Sequence, residues 1–216
     1  GDAPRLPGFE AAQVAIDSFA VETAELVRAA QIAGVPLYAI LVDRFMGGSM
    51  PPPAHGVRIH ETCALRQAMP VAARCLLRGV ETMKVKFDPQ TAFEQSLKTL
   101  QIMRSAHPRI GLRVDLGDTL THMVRLGEDP CPPLAALAQL DLEYVEGALD
   151  SALLEILPDG LVPLAVDLAQ TPLQRAREAI ECAQVHTLVL KPHLCGSYGA
   201  AFDLAQMARA QGVQVV

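Results

Sequence analysis

The sequence of 216 residues predicts an α/β protein whose strands form a (β/α) barrel. From about residue 57 onward, short β-prone runs alternate with amphipathic helical stretches at intervals of roughly 20–30 residues, as parallel βαβ units do. Seven such runs are present, which is many for an open sheet and fits a barrel that is nearly completed. An open doubly wound sheet is the alternative, and it is disfavoured because no Gly-rich phosphate-binding loop follows the first run.

The chain begins with a helical region and a linker. Ser18 is expected to cap a helix that continues to Ile32 and is stopped by Gly34 and Pro36. Residues 44–56 (RFMGGSMPPPAHG) are rich in Gly and Pro and predict a loop or linker. The seven predicted strands then follow, at residues 57–59, 82–86, 110–115, 142–146, 162–167, 187–191 and 213–216.

Helices are predicted between these strands. One covers residues 89–105 and starts with a proline, which the first turn of a helix favours. Two others cover residues 172–183 and 200–211. The stretch 128–139 has a weaker helical pattern, because three prolines interrupt it.

Composition restricts the class of protein. The formal net charge of -6 disfavours a nucleic-acid-binding protein, and no basic run contradicts this. No signal peptide and no apolar stretch long enough to span a bilayer are recognised, so no membrane partner is expected. The five cysteines are scattered without a C-x-x-C pair, which predicts free thiols in a reducing cytoplasm. Because the chain lacks an initial Met and ends on an apolar run, we expect a fragment of a longer protein.

Charged residues finish most of the predicted strands. The carboxyl ends of barrel strands open onto one face, and that face holds the active site. Ionised groups are costly to bury unless they are paired or bind a metal ion. Three carboxylates from consecutive strands would suit Mg²⁺, which prefers oxygen ligands. One charge at a strand end is usually solvated, but five in order predict a site: Lys86, Asp115, Glu146, Asp167 and Lys191.

The alternation of a strand adds a second layer to this predicted site. Lys84 and Lys86 point to the same side of their strand, as do Arg113 and Asp115, and the valine between each pair is expected to face the helices. Lysines beside the carboxylates could act as general bases, because a nearby cation and desolvation both lower the pKa of a lysine.

Five segments of the sequence carry a family resemblance. They are similar, in order, to the motifs K-x-K, L-R-x-D-A-N, Y-x-E-x-P, D-E-S and x-x-K-P-x-x-x-G, and they occupy residues 83–86, 112–115, 142–146, 163–167 and 189–196. In this pattern the chain resembles the muconate-lactonizing branch of the enolase superfamily, and within it the o-succinylbenzoate synthases most. The resemblance covers roughly residues 7 to 216.

The resemblance implies a particular domain organisation. Residues 1–45 would be the C-terminal helical part of a capping domain, residues 46–56 a linker, and residues 57–216 a partial barrel with strands 1 to 7. The implied fold is therefore a truncated (β/α) barrel of the enolase-superfamily type, preceded by a helical remnant of the capping domain.

The resemblance also implies a reaction on a small-molecule carboxylate. This is the dehydration of a 2-succinyl-6-hydroxy-cyclohexadiene-carboxylate to o-succinylbenzoate in menaquinone biosynthesis. Lys86 would remove the proton α to the carboxylate and return it to the departing hydroxyl group, and Lys191 would stabilise the anion from the opposite face. The implied ligands of Mg²⁺ are Asp115, Glu146 and Asp167.

Other residues receive supporting roles from the resemblance. Lys84 would lower the pKa of Lys86, and Arg113 would orient it. His193 and Ser197 are candidate substrate-binding residues near the mouth of the barrel. His60 and Glu61 are expected to end the first strand, with a structural role. A homo-oligomer is left open.

Three positions depart from the family motifs. Asp115 is followed by Leu116 instead of Ala-Asn, Glu146 by Gly147 and Ala148 without the usual proline, and Asp167 by Leu168 instead of Glu. Altered neighbours of metal ligands can weaken metal binding by about 10–100-fold. The alternatives left open are an N-succinylamino acid racemase using both lysines, a dipeptide epimerase, a muconate cycloisomerase, and a metal-binding protein that has lost catalysis.

Overall fold

The computed structural model of the chain describes residues 9–48, 59–88, 91–147 and 151–216. Within them, a parallel sheet has its strands in the same order in space as along the chain. The strands are β1 (His60–Ala64), β2 (Thr82–Lys86), β3 (Gly111–Asp115), β4 (Tyr144–Gly147), β5 (Leu164–Asp167), β6 (Thr187–Val189) and β7 (Gln214–Val215).

Helices connect these strands and precede them. They are α1 (Phe9–Ala33), α2 (Leu37–Met46), α3 (Ala68–Arg78), α4 (Phe93–Ala106), α5 (Thr119–Arg125), α6 (Cys131–Ala138), α7 (Ser151–Ile156), α8 (Leu173–Glu181) and α9 (Tyr198–Ala210). Two short 3₁₀ helices follow β1 and β6, at Leu65–Gln67 and Pro192–Leu194. Parallel strands that alternate with helices in sequential order form a partial (β/α) barrel, so the predicted fold class is confirmed.

The alternation of side chains divides the core into two parts. The outward residues of the central strands are fully buried against the helices; they are Val85, Val114, Val145, Val166 and Leu188. The inward residues Tyr144, Ala165 and Val189 form a small separate apolar cluster. The predicted orientation of the strands is therefore confirmed: the valines face the helices, and the polar residues that alternate with them face the interior of the barrel.

The first predicted strand is wrong in its position. β1 begins at His60, one residue after the predicted strand 57–59 ends, and residues 57 and 58 lie outside the described residues. His60 and Glu61 therefore begin the strand instead of ending it. β1 pairs only with β2 among the described strands, and a strand at a sheet edge tolerates polar residues that hide its pattern.

The N-terminal helices also differ from the prediction. α1 begins at Phe9, so Ser18 lies inside the helix and does not cap it. α1 ends at Ala33, directly before the predicted stop at Gly34, and Pro36 occupies the N-cap position of α2, whose C-cap is Gly47 in the left-handed conformation. The Gly- and Pro-rich loop predicted from residue 44 therefore begins three residues too early, and residues 49–56 lie outside the described residues.

The proline-rich stretch after α5 is helical. Two of its prolines occupy the first positions of α6, where a helix has no intrahelical hydrogen bond to lose. The helix predicted from residue 89 is described from Phe93 onward, because residues 89 and 90 lie outside the described residues.

α1 and α2 pack beside the last strands of the sheet. α1 contacts the 3₁₀ helix after β6, and Phe45 of α2 stacks on Phe202 of α9 with ring centroids 5.4 Å apart. In the described parts of the chain, a length and hydropathy suited to a membrane span are reached only by α1 and α2 taken together, and they meet at an angle of 110°. The division into a capping remnant, a linker and a barrel stays a prediction.

Candidate active site

The charged residues predicted as a site lie at the carboxyl ends of β2 to β6. Parallel pairing places Lys86, Asp115 and Glu146 at one level across three strands. The same pairing places Lys84 and Arg113 one level below them. Asp167 ends β5, whereas Lys191 follows the last residue of β6 by two positions.

Each of the three carboxylates lies near a different lysine. Lys86 Nζ is 3.0 Å from Asp115 Oδ2, and Lys84 Nζ donates a hydrogen bond of 2.7 Å to Glu146 Oε1. The third pair is looser, with Lys191 Nζ 3.9 Å from Asp167 Oδ1. The carboxylates are buried, while the side chain of Lys86 is 56% exposed. The structure thus brings together all five charged strand-end residues and Lys84 in three ion pairs.

Backbone groups hold two of the carboxylates. Asp115 Oδ1 accepts a hydrogen bond from the N–H of Gly117 at 3.0 Å, and Asp167 Oδ1 accepts one from the N–H of Ala169 at 2.9 Å. Gln170 Nε2 also reaches Asp115 Oδ1, at 3.4 Å. Gln170 was missed at the sequence level, because an isolated amide in a turn carries no pattern. It links the loop after β5 to the carboxylate of β3.

The loop after β3 comes close to the end of β4 at a glycine. A Cβ atom built on Gly147 would lie 2.8 Å from the carbonyl oxygen of Gly117. Gly117 itself has φ +58, which is a conformation that suits glycine. Gly117, two positions after Asp115, and Gly147, directly after Glu146, therefore allow the backbones beside these carboxylates to come together.

Glu146 has one oxygen that lacks a donor. Its Oε2 atom is buried, and none of the described residues hydrogen-bonds to it. A buried carboxylate oxygen normally has a partner, so an unpaired one is open to a ligand. This atom and the chemistry of three carboxylates at neighbouring strand ends fit a hard cation such as Mg²⁺. In the described ranges, however, no three His, Cys, Asp or Glu side chains are already gathered around one point as metal ligands.

Burial and pairing shift the pKa values of these acids in opposite directions. Burial raises the pKa of Glu146, against the opposing hydrogen bond and charge of Lys84. Burial would also raise the pKa of Asp115, but the hydrogen bonds from Lys86 and Gly117 outweigh it and lower that pKa. Of these two acids, Glu146 is thus the one whose charge the protein compensates less well.

The pKa of Lys86 is raised by its carboxylate partner, and the lowering expected from a nearby cation stays a prediction. The hydrogen bond to Asp115 is the largest cause, and the charge of Asp115 adds to it. The expectation assumed that cations would be the nearest charges to Lys86, whereas the nearest is an anion. In this arrangement Lys86 is held in its protonated form.

Arg113 takes part in a second polar cluster, toward the opposite ends of the strands. Its Nε donates to Glu143 Oε2 at 2.7 Å, and one of its terminal nitrogens lies 3.0 Å from His60 Nδ1. Thr82 Oγ1 donates to Glu143 Oε1 at 3.0 Å, and the guanidinium lies 4.9 Å from the ring centroid of Tyr144. Gly111 makes room, because a Cβ there would collide with Glu143. Among the contacts of the described residues, Arg113 is paired with Glu143 and His60 and not with Lys86, so its orienting role stays a prediction.

This second cluster also shifts pKa values. Burial lowers the pKa of His60, and the positive charges of Arg113 and Lys84 add to the effect. Burial raises the pKa of Tyr144 to about 12. The role of Glu143 was not predicted, because a glutamate just before a strand is ordinarily solvated.

His193 and Ser197 lie in the segment between β6 and α9. His193 is exposed in the 3₁₀ helix, two residues beyond Lys191. Ser197 is the N-cap of α9, and its hydroxyl oxygen accepts a hydrogen bond of 3.0 Å from the N–H of Ala200. Ser197 therefore has a structural role as a helix cap, and substrate binding by either residue stays a prediction.

The fold and the site define a class. Acid–lysine pairs at the carboxyl ends of successive barrel strands occupy the end of the fold at which (β/α)-barrel enzymes bind and convert their substrates. No family model matches the chain. A curated relative is the N-succinylamino acid racemase of Thermus thermophilus, 25% identical over 190 residues, which are 85% of this chain and 47% of that protein.

Solved structures share the fold at low sequence identity. A muconate lactonizing enzyme is similar with a TM-score of 0.63 and 16% identity, over 83% of this chain and 52% of that one. A probable mandelate racemase from Alicyclobacillus acidocaldarius gives a TM-score of 0.68 and 19% identity, over 92% and 49% of the two chains. A dipeptide epimerase from Enterococcus faecalis V583 gives 0.64 and 19%, over 92% and 55%.

These likenesses confirm that the chain forms a partial (β/α) barrel with the fold of these structures. The chain spans about half the length of the proteins that it matches. The relative is named as a racemase, and the structures as a lactonizing enzyme, a probable racemase and an epimerase. They do not single out the o-succinylbenzoate synthases.

Proposed function

We propose that this chain carries the proton-abstracting part of a cytoplasmic enolase-superfamily enzyme that acts on a small carboxylate. The reaction we propose first is the dehydration that gives o-succinylbenzoate in menaquinone biosynthesis. The observation that carries the proposal is the pairing of Lys86, at the end of β2, and Lys191, just after β6, with the first and last of the three buried carboxylates. A substrate carboxylate placed between them would have an amine near each face of its α-carbon.

Lys86 is the proposed base. In its neutral form it would take the proton from the carbon α to the carboxylate, and as the ammonium it would return that proton to the departing hydroxyl group. The electrons of the C–H bond form the new C=C bond, the C–O bond breaks, and water leaves. The side chain of Lys86 is more than half exposed, so it can reach a substrate above the strand ends.

Lys191 is proposed to stabilise the negative charge that develops after proton removal. Its amine is the more loosely paired of the two, so it has donor capacity left for a substrate. When bound by Asp115, Glu146 and Asp167, Mg²⁺ would supply positive charge that stabilises the same anion and lowers the pKa of Lys86. Lys84 would keep Glu146 ionised and in place through their hydrogen bond.

The two lysines have different surroundings, which supports a reaction with one base. Lys86 is hydrogen-bonded to its carboxylate, whereas Lys191 lies 3.9 Å from its own and is more buried. Dehydration on one face needs a single base and a stabilising cation. Racemisation needs a base on each face, and Lys86 and Lys191 would then have equivalent roles.

Racemisation of N-succinylamino acids is the second candidate. It is supported by the curated relative, which is an N-succinylamino acid racemase and matches 85% of this chain. Epimerisation of dipeptides and cycloisomerisation of muconate use the same proton chemistry and have support only from the shared fold. A metal-binding protein without catalysis is the proposal from another class, because the family's residues after Asp115 and Asp167 are replaced.

The test is an assay of the 216-residue chain with Mg²⁺ and the cyclohexadiene substrate, followed by the absorbance of the aromatic product. We expect turnover that falls by about 10²–10⁴-fold in Lys86→Ala, the range in which a general base contributes. Lys98→Ala is the matched control, because Lys98 is an exposed lysine on α4. Undiminished dehydration by Lys86→Ala would contradict the mechanism.

A second assay separates the two candidates. N-succinylamino acids are incubated with the chain in D₂O, and incorporation of deuterium at the α-carbon is followed by NMR. A racemase would exchange both enantiomers, and Lys191→Ala would block the exchange of one while Lys86→Ala blocks that of the other. Binding of Mg²⁺ without turnover of any of these substrates would favour the metal-binding protein.

A further inference from the structure

We propose that Glu22, on α1, is a positioning residue for the segment that carries Lys191. Glu22 Oε2 accepts a hydrogen bond of 2.6 Å from the backbone N–H of Tyr198, the first residue of α9. The two residues are 176 positions apart in the sequence. The proposal rests on the proposed function in one respect, that Lys191 takes part in the reaction.

The segment from Lys191 to Tyr198 is fixed by local hydrogen bonds at its start. The carbonyl oxygen of Lys191 accepts a hydrogen bond from the N–H of Leu194 at 2.9 Å and contacts Cys195 Sγ at 3.8 Å. These contacts close the 3₁₀ helix directly after Lys191. The position of the Lys191 backbone therefore depends on where this compact segment is held.

The far end of the segment is held by α1. Glu22 bonds the N–H of Tyr198, while the ring of Tyr198 packs on Phe19 with centroids 4.6 Å apart. Gly196, at φ +84, passes close to α1, because a Cβ built on it would lie 3.7 Å from Ala15. Three contacts, one polar and two apolar, thus attach one face of α1 to residues 196–198.

Glu22 completes the cap of α9. Ser197 satisfies the N–H of Ala200, and Glu22 satisfies the N–H of Tyr198. A carboxylate is favourable at this end of a helix, because the first N–H groups have no intrahelical acceptor and carry partial positive charge. Without Glu22 the N–H of Tyr198 loses its acceptor, and α1 holds the segment only through the apolar packing of Phe19 and Ala15.

Cys195 provides a measurement that needs no substrate. Its thiol is buried inside the segment, and burial raises its pKa. Cys63 of β1 and Cys75 of α3 are also buried, and they report on opening of the barrel. The rate of alkylation by iodoacetamide at each cysteine, resolved by peptide mass spectrometry on the 216-residue chain, separates local opening of the segment from general loosening.

We expect Glu22→Ala to speed alkylation of Cys195 by roughly fivefold, the change in an opening equilibrium that loss of one helix-capping hydrogen bond produces. Glu22→Asp, which keeps the charge but lacks the reach, should do the same, and Glu22→Gln, which keeps an acceptor oxygen, should restore most of the protection. Glu25→Ala is the matched control, because Glu25 is exposed on the same helix. Alkylation of Cys63 and Cys75 should not change.

Two results would overturn the proposal: an unchanged rate at Cys195 in both Glu22→Ala and Glu22→Asp, or an equal increase at Cys63 and Cys75, which would make Glu22 a residue of general stability. Where the chain turns over a substrate, Glu22→Ala should lower kcat by about tenfold with little change in KM, because a displaced Lys191 weakens stabilisation of the transition state. Absence of turnover would contradict the proposed function and leave the alkylation result to decide the attachment.

Discussion

Glu143 and Glu146 lie three residues apart at β4 and have opposite surroundings. Both oxygens of Glu143 are satisfied, one by Thr82 and the other by Arg113, and its side chain is 33% exposed. Glu146 is completely buried, has a single hydrogen bond from Lys84, and keeps one oxygen without a donor among the described residues. The cluster around Glu143 fastens one end of the barrel, whereas the cluster around Glu146 is incomplete.

The difference separates a structural ion pair from a site. A carboxylate with full hydrogen bonding and access to water can be ionised at little cost. A buried carboxylate with one unsatisfied oxygen destabilises the fold unless a ligand compensates for it. The two residues are of the same type and differ in position: Glu146 lies near the carboxyl end of β4, whereas Glu143 directly precedes the strand.

The largest expected effect concerns the buried pair. Lys84→Met should lower the free energy of unfolding by about 3–5 kcal/mol, because it leaves the buried charge of Glu146 without a partner. The double variant Lys84→Met/Glu146→Leu should recover most of this loss. Urea denaturation measures both values. An effect of Lys84→Met smaller than that of Arg113→Met would reverse the ranking of the two clusters.

The second prediction concerns the metal ion. Mg²⁺ at 100 times its dissociation constant should stabilise the chain by about 2.7 kcal/mol, and EDTA should remove this effect. Glu146→Gln should abolish the stabilisation, because it removes the charge of the carboxylate with the open oxygen. Glu143→Gln is the control and should retain it. Equal loss in both variants would show that the ion does not distinguish the two glutamates.

The third prediction concerns the structural pair itself. Glu143→Gln should cost about 1 kcal/mol of stability, because the pair with Arg113 is partly exposed and screened by water. A double-mutant cycle of Arg113→Met and Glu143→Gln should give a coupling energy of similar size. A coupling several times larger would mean that this end of the barrel is as poorly compensated as the other.

The smallest expected effect is the pH dependence due to His60. Its pKa is lowered in the folded protein, so below the ordinary value of about 6.5 the unfolded chain binds more protons than the folded one. Stability should therefore fall as the pH decreases from about 6.5 toward the lowered pKa. Denaturation curves of His60→Gln should lack this slope. A slope of equal size in the variant would assign it to another group.

Much of the fold was predictable because it depends on patterns within single segments. β2 was predicted at its observed bounds, since Lys84 and Lys86 alternate with a valine that the helices bury. β1 was misplaced because an edge strand has little apolar pattern to recognise. α2 was missed because Pro36 was interpreted as the end of a helical region, although a proline is equally suited to precede a helix.

The site was predictable in its composition but not in its pairing. Parallel strands bring their carboxyl ends together, which placed Lys86 beside Asp115. The bond between Lys84 and Glu146 joins β2 to β4 and skips β3, and such a contact depends on the curvature of the sheet and the reach of a side chain. The raised pKa of Lys86 follows from its hydrogen bond to Asp115, a pairing that residue type alone does not predict.

Position 147 should tolerate few substitutions, although Gly147 has no chemical role in the site. It has no side chain and no part in proton transfer, yet any larger residue would push the end of β4 away from the carbonyl of Gly117. The separation of Asp115 and Glu146 therefore depends partly on the lack of a Cβ atom at Gly147. A saturation library screened for function should find this position among the least permissive in the chain, ahead of many residues whose chemistry looks more important.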